Sequence, residues 1–150
     1  MSREIIIADA SCLIVLQNIQ ELSLLPKLFG EVFITQEVEK EFGLDLPEWI
    51  KIKKVQNKIQ QNALNLILDE GEASSIALSL ETEDSLLIID EKKGRRIAQG
   101  LGLKITGTLG VILLAKEKGL IDLIENVLEK LENAGFWISP NLKAKILENI

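Results

Sequence analysis

The chain predicts a three-layer α/β/α sandwich around a central parallel sheet of four or five strands, and three observations lead there. Ile5-Ile6-Ile7-Ala8 and Leu86-Leu87-Ile88-Ile89 are short apolar runs without a polar break. That is how strands covered on both faces read. The stretches between strand candidates repeat their apolar residues at helical spacing, the pattern of a parallel sheet with crossover helices. Each apolar run is also closed by an aspartate, Asp9 or Asp90, at the carboxyl end of its strand. Ligands of open parallel sheets bind at that edge.

After the first strand, Cys12 to Phe29 reads mainly helical, with Leu13, Leu16, Ile19 and Leu22 or Leu24 recurring about once per turn. Pro26 falls inside the first turn of a second short helix that ends near Gly30. Glu31 to Ile34 is a short strand, Thr35 suits the cap of a helix from Gln36 to Phe42, and Gly43 suits its stop. Leu44 to Lys54, with Pro47 and Trp49, reads as a connecting segment. A helix is expected from Gln56 to Leu68 with Ile59, Ala63, Leu66 and Ile67 on one face, and another from Glu72 to Leu80. The strand ending at Asp90 comes next. Lys92 to Gln99 is a helix stopped by Gly100, and Leu103 to Ile105 is a further strand. Gly107-Thr108 opens a helix running to Lys118 and stopped by Gly119. Two helices follow, from Ile121 to Leu131 and from Pro140 to Glu148, the second after Ser139 as N-cap.

A length of 150 residues fits one domain with one adequate core. Hydrophobic residues make up 47% against 27% charged, which is globular composition rather than disorder. No apolar stretch approaches the roughly 20 residues that span a bilayer. Met-Ser-Arg-Glu followed by three Ile does not read as a signal peptide. One cysteine, Cys12, forms no internal disulfide, so a cytoplasmic location is expected. With no histidine in the chain, His-assisted Ser or Cys triads and His-ligated zinc are excluded. Carboxylates are then the plausible actors, and their partners are hard cations such as Mg²⁺ or Mn²⁺. A net charge of −6 argues against a broad non-specific nucleic-acid surface. It leaves room for a local basic patch beside an acidic centre.

Four acids stand out. Asp9 either caps the following helix or, if Ser11 does the capping, faces the crevice. Glu41 lies three residues after Val38 and beside Phe42, so it is aimed partly inward, whereas Glu39 faces water. The alternative for Glu41 is an ordinary solvated charge. Glu72 sits above the stripe made by Ile76 and Leu80, and Asp69-Glu70-Gly71-Glu72 also has capping-box spacing. Asp90 repeats the position of Asp9 on the second strand. Lys92 and Arg96 then share a helix face, and with Arg95 they offer contacts to a phosphate backbone, or form a plain solvated basic turn.

These residues resemble the PIN-domain nucleases, most closely a VapC-like branch. Ile7-Ala8-Asp9-Ala10-Ser11-Cys12-Leu13-Ile14 is similar to that family's first motif, and Ile34-Thr35 through Glu41-Phe42 to its second. Leu68-Asp69-Glu70-Gly71-Glu72-Ala73 resembles the branch's Gly-Glu-Ala helix start. Leu87 through Arg96, Gly107-Thr108-Leu109-Gly110 and Lys116 through Ile121 resemble its C-terminal half.

The resemblance implies a PIN-like fold over residues 1–150. It also implies that Asp9, Glu41, Glu72 and Asp90 bind Mg²⁺ or Mn²⁺ to hydrolyse RNA phosphodiesters, with Ser11 as a supporting donor. It further implies a toxin-like role, a homodimer and a small antitoxin partner. The competing class is a PIN-like scaffold that binds nucleic acid or protein without cutting. A haloacid-dehalogenase-like phosphatase would need an Asp where Ser11 stands, and a receiver domain would need a Lys where Thr106 ends its strand. No phosphate-loop or dinucleotide motif is present.

Overall fold

Alternation along the central strand decides how the layers are built. The computed structural model describes residues 4–148, so the reading of Met1 to Arg3 lies outside the described residues. Strand β1 (Ile5–Ala8) turns Ile6 and Ala8 to one face, where they join the larger apolar cluster, and Ile5 and Ile7 to the other. Helix α1 (Ala10–Asn18), α2 (Leu24–Phe29), β2 (Val32–Ile34), α3 (Gln36–Phe42), β3 (Ile50–Ile52), α4 (Lys58–Asn65) and α5 (Glu70–Leu80) follow. The second half holds β4 (Ser85–Ile88), α6 (Lys92–Gly100), β5 (Ile105–Thr106), α7 (Thr108–Glu117), α8 (Ile124–Asn133) and α9 (Pro140–Glu148).

All strands run parallel in the order β3-β2-β1-β4-β5. The chain therefore builds outward from β1 to one edge, then returns to the other side of β1. This reversal sets the β1 and β4 ends side by side, with Ala8 opposite Ile88. An α/β/α sandwich with five parallel strands is the architecture expected from sequence.

Residues of α1, α2, α7, α8 and α9 pack with Ile6, Ala8, Val32, Ile34, Ile50 and Ile88 on one face. On the other, Ile76, Ala73 and Ala77 of α5 meet Ile7, Leu87 and Ile89, flanked by Leu64 and Leu68 from the α4 region and Ala98 of α6. Helix α5 is buried from Gly71 through Ser79. Its small residues Gly71, Ala73, Ser74, Ser75 and Ala77 let it lie close to the sheet and to its neighbouring helices.

The structure departs from expectation in several places. The segment from Leu44 to Lys54 contains β3, an edge strand paired with β2 in register Val32↔Ile50. Only Ile50 of its three residues is buried, so it carries no strand-like apolar run. The apolar face read on α4 is turned outward: Ile59 and Leu66 are 84% and 86% exposed, while Gln61 and Leu64 are buried. Gln61 is stable inside because its Nε2 donates to the Glu37 carboxylate, which disguised the true inner face.

The last strand is Ile105–Thr106 rather than Leu103 to Ile105, and α8 begins at Ile124 rather than Ile121. Gly102, with φ of 83°, and not Gly100, takes the left-handed turn after α6. Gly43 (φ 70°) does end α3 as expected, and the Thr35 side chain accepts from the Val38 N–H at its start. No helix among the described residues is long and apolar enough to cross a membrane.

Candidate metal centre

Asp9 follows β1 and stands at the N-cap position of α1, yet its side chain makes no capping bond. Ser11 does not cap either, since its Oγ is buried without a hydrogen-bond partner among the described residues. Both capping alternatives therefore fail, and α1 starts without a side-chain cap. Asp9 is only 3% exposed, and its Oδ1 is left unpartnered. An unsatisfied buried carboxylate oxygen is costly. Burial pushes its pKa up to about 7; the Ala10 N–H opposes this, and the charges of Glu41, Asp69 and Asp90 add to it.

Glu72 comes to the same rim on the first turn of α5. Asp69 caps that helix through its Oδ1, which accepts from the Glu72 N–H at 2.8 Å. Glu72 is 7% exposed and its Oε2 has no partner. Burial, then Asp69, then Asp9 and Glu91 raise its carboxyl to about 8. Asp69 is the cap that the Asp69-to-Glu72 spacing predicts, and its charge also bears on Glu72.

Glu41 lies in the last turn of α3, at the mouth of the rim. Contrary to the facing argument, Glu41 is the exposed residue and Glu39 the half-buried one. What distinguishes Glu41 is where its carboxylate lies. A Cβ on Gly71 would stand 2.6 Å from Glu41 Oε1 and 3.2 Å from Asp9 Oδ1, so both acids use the notch that this glycine leaves. The Glu41 carboxyl is raised by partial burial and then by Asp69. Helix α3 is held against α5 by a buried hydrogen bond of 2.7 Å between the Thr35 and Ser74 hydroxyls. Ser74 in turn donates to the Gly71 carbonyl at 3.0 Å.

The same economy of space recurs at α6, where a Cβ on Gly94 would meet Glu72 Oε2 at 2.6 Å. Asp90 differs from the other acids because it is fully engaged. Its Oδ1 accepts from the Thr108 N–H at 2.8 Å, and its Oδ2 accepts from the Thr108 hydroxyl. Thr108 is completely buried at the start of α7. The sequence marks Gly107-Thr108 as a helix opening, and the bond from Thr108 to a strand-end Asp is a second use of the same residue. Behind the rim, burial and then the Asp90 charge push the Cys12 thiol up to about 12, which leaves it inert as a nucleophile.

The basic residues separate. Lys92 and Arg96 are exposed on α6. Arg95 is turned inward, donating from Nη1 to the Ile89 carbonyl at 2.7 Å. It is thus anchored to the end of β4 rather than presented to solvent.

The rim therefore gathers Asp9, Glu41, Asp69, Glu72 and Asp90 from four separated stretches. As the side chains stand, no three His, Cys, Asp or Glu groups among the described residues are close enough to hold one ion. The donor chemistry nonetheless fits a hard divalent cation: oxygen ligands only, with two of the buried oxygens unpartnered. Like charges repel one another unless a cation or a proton intervenes.

A family model described as a PIN domain matches residues 5–150. The chain belongs to the PIN-domain family. PIN domains are generally nucleases that use divalent metals. Membership displaces the phosphatase-like and receiver-like alternatives. A comparison with curated proteins returned no match.

Proposed function

We propose that this PIN domain is a metal-dependent endoribonuclease, acting as the toxin of a toxin–antitoxin pair. The observation that carries the nuclease reading is the pair of buried, unpartnered oxygens, Asp9 Oδ1 and Glu72 Oε2, at the strand ends where parallel sheets place their ligands. A bound Mg²⁺ or Mn²⁺ would supply an activated water and neutralise charge on the scissile phosphate. Asp9 and Glu72 are the buried ligands, Glu41 is the ligand at the open side, and Asp90 is a fixed carboxylate locked by Thr108. Ser11 offers a hydroxyl next to Asp9. Exposed Lys92 and Arg96 would draw in RNA phosphates, while Arg95 steadies the end of β4. A homodimer and a small antitoxin belong to the same reading, which the family resemblance supports.

The separation of the acids favours a second reading, a scaffold that binds without cutting. Incubation of the purified protein with single-stranded RNA and Mn²⁺ or Mg²⁺ distinguishes them. Cleavage that chelation stops, and that Asp9→Asn reduces by about a hundredfold or more, supports the nuclease. RNA left intact by the wild type under all metal conditions, yet retained by the protein, supports the scaffold.

A further inference from the structure

We propose that the outward face of α4 is a two-fold dimer interface, with α4 of one protomer packed antiparallel against α4 of its partner. Resting on the homodimer of the preceding reading, this gives that dimer its surface and needs nothing from the metal centre.

Ile59, Ala63, Leu66 and Ile67 follow one another three or four residues apart, the spacing of a single helix face. All four are exposed. Ile59 and Leu66 are the two most exposed large apolar side chains among the described residues. The stripe cannot be turned inward, because Gln61 and Leu64 already fill the inner side of the helix. It also stays in line beyond the last helical residue, since the N–H groups of Leu66 and Ile67 donate to the Ala63 and Leu64 carbonyls. A contiguous apolar face of this kind on a soluble domain marks an interaction site.

Size and charge select a second copy as its occupant. Small Ala63 lies between bulky Ile59 at one end and Leu66 with Ile67 at the other. A two-fold axis at Ala63 would set the two alanines face to face and let the helices approach closely. Each Ile59 would then seat against Leu66 and Ile67 of the other copy, a self-complementary fit. Helix α4 carries one charge, Lys58 at its first residue, and residues 59–68 carry none. Exposed Asp69 and Glu70 follow its far end. An antiparallel pair sets Lys58 of one copy toward Glu70 of the other at both ends, whereas a parallel pair would set like toward like. A chain with a net charge of −6 repels its copy over most of its surface. Between Glu48 and Asp69 the sequence has no acid, so this face escapes that repulsion.

Sedimentation velocity of the full chain in metal-free buffer, from about 1 to about 200 µM, tests the interface. Wild type is expected to pass from monomer to dimer in that range. Ile59→Gln and Ala63→Glu should weaken the dimer about tenfold or more. Leu113→Gln, at an exposed leucine of α7, should leave it unchanged. Lys58→Glu and Glu70→Lys should each weaken it about threefold or more, and the two together should restore it. In separated protomers the stripe faces water, so at submicromolar concentration these variants should unfold as wild type does. A dimer that survives in both stripe variants overturns this interface and leaves the homodimer standing. Equal weakening by Leu113→Gln also overturns it, because general surface stickiness would then explain association. A double charge variant no tighter than the single ones overturns the antiparallel arrangement. A wild type monomeric throughout overturns the homodimer itself.

Discussion

At the scale of single residues, the acids owe their positions to glycines as much as to each other. Gly71 leaves the space that the Glu41 and Asp9 carboxylates use, and Gly94 does the same for Glu72. Gly71→Ala should leave the fold intact, because the atoms its Cβ would meet are ends of side chains. It should even add about 0.5–1 kcal/mol of helix stability in α5. The gain should come with weaker Mn²⁺ binding, which melting and titration of the same sample would show; unchanged binding would contradict the notch. Thr108 gives a second residue-level test. Thr108→Val keeps the shape and the N–H bond but removes the hydroxyl that Asp90 Oδ2 accepts from. The expected loss is about 1.5–3 kcal/mol in chemical denaturation, the range for a hydrogen bond to a charged group. The strand-end aspartates were legible from sequence because an acid closing a buried apolar run has few structural uses. The contact of Thr108 with Asp90 was not, because Thr108 has a sufficient local job as a helix start and its partner lies on a strand distant in the chain.

At the scale of elements, the register of β1 against β4 and the Thr35–Ser74 bond between α3 and α5 bring the acids to one rim. The buried strands β1 and β4 were readable because their apolar runs are short, rich in Ile and Leu, and closed by Asp. Edge strand β3 was not, because two of its three residues face solvent, and an edge needs no continuous apolar run. Helix α4 shows the limit of counting apolar residues. Its most apolar face, with Ile59 and Leu66, looks outward, while Gln61 enters the interior bonded to Glu37. Opposite substitution effects are therefore expected within one helix. Leu64→Ala should destabilise by about 2–4 kcal/mol as a buried truncation. Leu66→Gln should stay within about 0.5 kcal/mol as a surface change. Urea unfolding midpoints compare the two, and a reversed order would mean that the helix is rotated from its described orientation.

At the scale of the whole molecule, the fold gathers several like charges, none of them in an ion pair among the described residues, and this makes its stability depend on pH. The Asp9 and Glu72 carboxyls are raised to about 7 and about 8 in the folded chain. A raised acid binds more protons folded than unfolded, so stability falls as pH rises through that window. For Asp9 alone the effect from the ordinary carboxylate range to neutrality is on the order of 4 kcal/mol. The metal-free protein should therefore melt at a higher temperature near pH 5 than near pH 8, and a flat profile would remove the electrostatic strain from the account. The measurement that bears most directly on the centre is thermal unfolding at pH 8 with and without millimolar Mn²⁺, on wild type and Asp9→Asn. Bound cation should raise the wild-type midpoint by roughly 5–10 °C and leave the variant unmoved. A wild-type midpoint indifferent to the metal would contradict the claim that these acids meet to hold an ion.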